Sequence, residues 1–280
     1  MNGNTFNMNF NIFKRILKSK ETKLFSRESM QVVVEKNRNS LHEIPTWLNQ
    51  EAFDNSYYNY GVPENIKSLL DLEIGDEMTY SDLIMYYSKQ IKKVNYLELG
   101  VSVGKNFFQM ANGFNNAMLT GFDIENIHPS LQSKFTFIDR LTWEGKADSL
   151  RKELSSLSNY NFKTNSVSYI AGDIWDERCW AQLEGKKFNV IFSDALHNPE
   201  ALLWEYKMIE KYKLLDIKFI LAWDDLNNGL ESSFYKIAES LKKNIRLTER
   251  HIQLIKVNGW LGQNYPIKHD FGIITNISLK

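Results

Sequence analysis

Tyr96-Leu97-Glu98-Leu99-Gly100-Val101-Ser102-Val103-Gly104, followed by Thr120-Gly121-Phe122-Asp123, is the stretch whose reading decides the fold. A short apolar strand runs into a glycine turn, and a second apolar strand ends on a carboxylate. This is the layout of a nucleotide-type cofactor site at the carboxyl edge of a parallel sheet. Gly100 and Gly104 let the backbone turn sharply and approach a ligand closely, which a Cβ would obstruct. An acid at the end of the next strand is placed to take both ribose hydroxyls.

Outward from this stretch the chain alternates. Apolar runs predict strands at Val94–Leu99, Met118–Phe122, Val167–Ala171, Phe188–Phe192, Phe219–Trp223, Ile252–Val257 and Phe271–Thr275. Helical patterns fall at Ser81–Ile91, Lys105–Gly113, Asp148–Ser156, Pro199–Lys213 and Leu230–Leu241. Short apolar strands alternating with helices predict an α/β fold: a doubly wound, mainly parallel seven-stranded sheet covered on both faces. No helix separates the last two strands, so they are expected to pair antiparallel, leaving the final strand antiparallel to its neighbours. Residues 79–280 form this Rossmann-like domain, and residues 1–78 a helical, aromatic extension. The segment Glu125–Asn165 is long for a crossover and, with the extension, is expected to shape a substrate pocket and lid.

Bulk properties narrow the function classes. A chain of 280 residues that is 43% hydrophobic can bury one large core. Lys+Arg and Asp+Glu are equal at 34 each, so nothing argues for a nucleic-acid partner. The only cysteine, Cys179, excludes a disulfide framework within the chain and fits a reducing, cytoplasmic setting. No apolar run approaches the roughly 20 residues of a membrane span, and no signal peptide is visible. Phe10, Phe13, Ile16 and Leu17 suit one face of a helix, interleaved with Lys14, Arg15 and Lys18. That helix is expected to pack on its own domain or on a second copy of the chain; a weak contact with a membrane surface is the sharper alternative.

The glycine turn departs from the dinucleotide fingerprint in one place: Ser102 stands where the second glycine, which makes room for a pyrophosphate, would fall. Glu98-x-Gly100-x-x-x-Gly104 resembles the first motif of class I S-adenosylmethionine-dependent methyltransferases, whose cofactor has no pyrophosphate. The doubly wound sheet finished by an antiparallel pair resembles their architecture from residue 94 to about 275. The resemblance implies that Glu98, Gly100, Ser102 and Gly104 surround the methionine end of the cofactor. It further implies that Asp123 and Ile124 meet the ribose, and that Asp173 and Ile174 meet the adenine. The bland readings stay open: turn glycines, Asp123 as an N-cap, and Asp173 as the cap of a helix near Trp175.

Two more strands end on acids: Ser193-Asp194-Ala195-Leu196-His197 and Trp223-Asp224-Asp225. In a parallel sheet these ends converge on one crevice. Three carboxylates there repel one another unless a cation joins them, and an oxygen-rich group suits Mg²⁺, Mn²⁺ or Ca²⁺. Asp194-x-x-His197 followed by Asp224-Asp225 resembles metal-dependent small-molecule O-methyltransferases of the macrolide-sugar type, with Ala195 in their glycine position. That resemblance implies a cation held by Asp194, Asp224 and Asp225. It also implies His197, with Asp194, as the catalytic pair that takes the proton from a substrate hydroxyl, the substrate being a sugar or another small polar metabolite. An unperturbed His197 would titrate near 6.5, as imidazoles about do. His42, His128, His251 and His269 have no spacing that suggests chemistry. Other readings remain open: His197 and Asp225 as loop or capping groups, or the acids as cofactor contacts only. At the level of the whole chain they are a metal-independent N-methyltransferase, a nicotinamide-dependent oxidoreductase and a non-catalytic methyltransferase-like scaffold.

Overall fold

The computed structural model describes residues 27–43, 74–146, 154–227, 229–245, 247–248, 251–259, 261–264 and 268–277. The helix expected around Phe10–Leu17, the aromatic stretch between Pro45 and Pro63, and residues 148–153 of an expected helix lie outside them.

Nine strands are present among the described residues: β1 (Asn95–Leu99), β2 (Met118–Asp123), β3 (Thr136–Trp143), β4 (Ser155–Phe162), β5 (Asn165–Ala171), β6 (Phe188–Ser193), β7 (Leu215–Trp223), β8 (Ile252–Val257) and β9 (His269–Thr275). The helices among the described residues are α1 (Arg27–His42), α2 (Tyr80–Ser88), α3 (Lys105–Gly113), α4 (Pro129–Gln132), α5 (Glu177–Ala181), α6 (Pro199–Lys211) and α7 (Leu230–Asn244). All nine strands join one sheet in the order β3-β4-β5-β2-β1-β6-β7-β9-β8. The five central strands, β5 through β7, are parallel. The expected antiparallel pair is there: β9 runs against β7, and β8 against β9.

The expectation of seven strands is corrected to nine. The two additions, β3 and β4, extend the opposite edge antiparallel to β5. Ser155 and Ser156, expected at the end of a helix, open β4. The run Ser-Ser-Leu-Ser-Asn-Tyr-Asn-Phe has neither a helical nor a clean alternating apolar pattern. It is held as a strand by pairing with β5 from Ser156 to Phe162. A two-residue connection, with Lys163 in left-handed backbone, makes that pairing local.

Alternation along the strands splits the core into two layers. Tyr96, Val190, Phe192, Ile220 and Ala222 face α1, α2 and α3, where Leu83, Ile84, Phe107 and Met110 pack. Leu97, Leu99, Ile191, Leu221 and Trp223 face α6 and α7, against Met208, Ile209, Phe234 and Ile237. α1 docks by a buried fork: the Arg38 guanidinium donates to both Asp82 oxygens (2.8 and 3.2 Å) and to the carbonyls of Gly75 and Glu77. Asp82 also closes the capping box of α2 with Thr79. This fixes the start of α2, where Tyr80 faces the sheet edge.

Parallel strands bring the carboxyl ends of β1, β2, β5, β6 and β7 to one edge. An antiparallel β9 brings its amino end there instead. His269, the first residue of β9, therefore arrives beside the end of β7.

Candidate active site

One cavity of about 250 Å³ opens at this edge, lined by Glu98, the glycine turn and Asp123 and also by Asp194, His197, Asp224, Asp225 and His269. Its two halves are built differently.

The first half is the glycine turn. Gly100 (φ 78°), Ser102 (φ 51°) and Gly104 (φ 86°) are left-handed. A Cβ on Gly100 would lie 2.4 Å from the Asp194 carbonyl oxygen, so the turn of β1 and the end of β6 touch through the space that glycine leaves. The turn aims successive amides at Asp123: Val101 and Ser102 N–H donate to Oδ2 at 2.6 and 2.7 Å, and Glu125 N–H donates to Oδ1 at 2.8 Å. Glu98 shares its face of β1 with Tyr96, as residues two apart do. Its Oε2 accepts from the Tyr96 hydroxyl (2.6 Å) and from Asn106 Nδ2 (2.8 Å). Burial nevertheless raises the Glu98 carboxyl well above its ordinary value. Asp173 turns the end of β5 by accepting from Trp175 N–H at 2.9 Å, and Asp176 caps α5.

The second half is crowded with charge. His197 Nε2 lies 3.0 Å from Asp194 Oδ1, and its Nδ1 is 3.6 Å from Asp225 Oδ2. His269 Nδ1 sits between two carboxylates, 2.7 Å from Asp224 Oδ2 and 2.9 Å from Asp225 Oδ1. Asp225 has left-handed backbone (φ 49°), rare outside glycine, and the turn directs its carboxylate toward both imidazoles. Burial pulls the His197 imidazole down, but the Asp194 hydrogen bond and the surrounding acids more than reverse this, to about 9. His197 is therefore not the unperturbed imidazole that would titrate near 6.5. Burial raises Asp224; His269 holds Asp225 below the usual carboxylate range against burial.

Of the residues expected to surround a cofactor, Glu98, Gly100, Ser102, Asp123, Ile124, Asp173 and Ile174 line the cavity. Gly104 does not: it starts α3, against Leu131. Asp194, His197, Asp224 and Asp225 line the cavity as well. Sequence reasoning passed over His269, which no local spacing connects to Asp224; only the antiparallel return of β9 does. It also passed over Tyr80, Lys105 and Trp175. Lys105, directly after Gly104, carried a signal: a cation in the first turn of a helix opposes the helix dipole. Burial pushes its ammonium well below the ordinary lysine value, and Asp194 pulls it back up.

The acid half fits a cation. Among the described residues, Asp224, Asp225 and His269 each offer a donor atom within 4.8 Å of the others. Asp224 Oδ1 is buried with no hydrogen-bond partner, a costly arrangement that a cation would relieve. Asp194, expected in the trio, instead has Oδ1 engaged by His197.

No family model matches the chain, and no curated protein does. Among solved structures it is similar to the SAH-bound methyltransferase PaMTH1 of Podospora anserina. The identity is 13%, covering 99% of this chain and 100% of that one, with a TM-score of 0.45. It is similar also to cofactor-bound Rv0187 from MTB, at 12% identity over 94% of each chain and a TM-score of 0.42. At these identities and scores the likeness carries no argument about chemistry. The strand order and the cavity residues do.

Proposed function

We propose that this chain is a class I S-adenosylmethionine-dependent methyltransferase acting on a hydroxyl of a small polar metabolite, such as a sugar, with a divalent cation. One observation carries the reading: a single cavity joins the glycine turn and Asp123 to an acid–imidazole group. A donor and an acceptor can meet there. The filled turn argues against a dinucleotide, because the amides of Val101 and Ser102 already serve Asp123.

Methyl transfer from a sulfonium needs chiefly alignment and a free lone pair on the nucleophile. Glu98 and Asp123 hold the donor's amino-acid and ribose ends, with Asp173 and Ile174 at its base. His197 faces the acceptor side: Asp194 Oδ1 holds its Nε2 at 3.0 Å, so the hydroxyl proton is taken on Nδ1 of the neutral ring. Asp194 orients the ring and stabilises the imidazolium that forms. Asp224, Asp225 and His269 would hold the cation, with Asp194 beside them. When bound, it would lower the pKa of a coordinated substrate hydroxyl.

A second reading has its own observation. A protonated His269, 2.7 and 2.9 Å from two carboxylates, supplies a counter-charge from the chain itself. A metal-independent transferase would use it so. Calorimetry with S-adenosylmethionine, S-adenosylhomocysteine and NAD(H), each with and without Mg²⁺ or Mn²⁺, separates the readings. Tight NAD(H) binding would overturn the methyltransferase; cofactor binding with no cation binding would leave the metal-independent form. Residues 1–78 are read as a lid or as a contact for a second copy.

A further inference from the structure

Glu205, on α6, neither lines the cavity nor enters the chemistry above. It is 1% exposed, on a helix whose Leu202, Met208 and Ile209 belong to the same core layer as Trp223. Its Oε2 accepts from the Trp223 indole Nε1 at 3.3 Å. The Ser193 side chain also stands against the carboxyl and favours its charged form. Oε1 makes no hydrogen bond. Burial lifts the group to about 7, with Asp194 adding to the rise and His197 opposing it.

The two residues it touches are neighbours across the sheet, Ser193 on β6 and Trp223 on β7. Each is the last residue of its strand, and each is followed at once by an acid of the cavity: Asp194 and Asp224. The Asp224 N–H donates to the Ser193 carbonyl at 3.0 Å, so the two strand ends turn off the sheet together. Glu205 grips them from beneath. Its helix is capped by Asn198, the residue after His197, so the same helix also anchors the loop that carries the imidazole.

A buried carboxyl with an orphaned oxygen is a burden on stability: replacement by an apolar side chain of similar size is often neutral or stabilising. Packing alone gives no reason for glutamate at this position. A second layer that orients metal-holding groups does.

We propose that Glu205 is a positioning residue, which ties the ends of β6 and β7 so that Asp194 and Asp224 face one another across the cavity. The proposal rests on the reading of Asp224, Asp225 and His269 as cation-holding groups.

The test uses the full chain. Mn²⁺ affinity is measured by calorimetry at saturating S-adenosylhomocysteine, the affinity for S-adenosylhomocysteine is measured alone, and Tm is measured in EDTA. In Glu205→Leu, Mn²⁺ binding is expected to weaken about tenfold, the lower end for losing an outer-layer partner of a metal site. Affinity for S-adenosylhomocysteine stays as in the native protein, and Tm is not lowered. Glu205→Gln keeps an acceptor for Trp223 and restores Mn²⁺ binding. Native Mn²⁺ affinity in Glu205→Leu overturns the proposal. So does a fall in Tm with equal loss of both ligands, which marks a packing role, and so does failure of Glu205→Gln to recover. A native protein that binds no Mn²⁺ overturns the cation reading first, and this proposal with it.

Discussion

The two halves of the cavity use carboxylates in opposite ways. In the glycine-turn half the acids are already satisfied by the chain: Asp123 takes three backbone amides, and Glu98 takes a phenol and an amide. In the acid half three carboxylates share two imidazoles, and Asp224 Oδ1 is left bare. The first half is held in place by the chain's own donors. The second is unfinished, and its charge balance depends on what enters. The contrast teaches that an acid at a strand end has no fixed meaning; the number of donors the local backbone can aim at it decides its role.

The most severe way to break this contrast is to strip divalent cations. Exhaustive EDTA treatment is expected to abolish turnover, with Mn²⁺ or Mg²⁺ restoring it, while S-adenosylhomocysteine binding persists. Full turnover after chelation would mean that His269 completes the acid half by itself.

His197→Ala comes next. Losing a positioned base costs about 10²–10⁴-fold in rate. Steady-state kinetics should show that loss with cofactor affinity unchanged. If cofactor affinity fell instead, His197 would belong to the first half and the division would fail.

Asp123→Ala probes the preorganised side. It removes the carboxylate that would take the ribose hydroxyls, and charge-assisted bonds of this kind are each worth about 1.5–3 kcal/mol. One such bond corresponds to roughly 10–100-fold weaker cofactor binding by calorimetry. Mn²⁺ affinity should hold, because Asp123 is held by the Val101, Ser102 and Glu125 amides, which belong to the glycine-turn half. A joint loss would show that the two halves communicate through Gly100, where the turn touches Asp194.

The smallest expected effect is on stability against pH in EDTA. The folded-state pKa of His197 lies above its unfolded value, at about 9 against 6.5. Its imidazolium therefore supports the fold fully below pH 6.5, and that support is lost as pH rises through 9. The raised His269 and Asp224 carry the same sign. Tm should decline across this window, less steeply in His197→Gln and less steeply with Mn²⁺ bound. A flat profile in the native protein would remove the electrostatic half of the comparison.

How much of this was legible follows the same division. The glycine turn, Asp123 and Asp173 were readable because each sits within a few residues of a strong apolar strand. The parallel core and the terminal antiparallel pair followed from the same periodicity. Asp194, Asp224 and Asp225 were readable as strand-end acids, but their partners were not. His269 is 45 positions from Asp224 and meets it only through the return of β9. Tyr80 reaches the cavity because a capping box and Arg38 fix the start of α2. The β3–β4 pair was missed because a serine- and asparagine-rich strand draws its stability from its neighbour rather than from its own pattern.

The late arrival of β9 bears on how the protein is made. Chains emerge from the ribosome amino end first. Asp194, Asp224 and Asp225 are therefore synthesised well before the histidine that sits between two of them. Until β9 inserts between β7 and β8, the nascent sheet carries adjacent acids without that counter-charge and leaves the edge of β7 unpaired. Completion of the nine-stranded sheet and neutralisation of its acidic end are thus one event, set by β9.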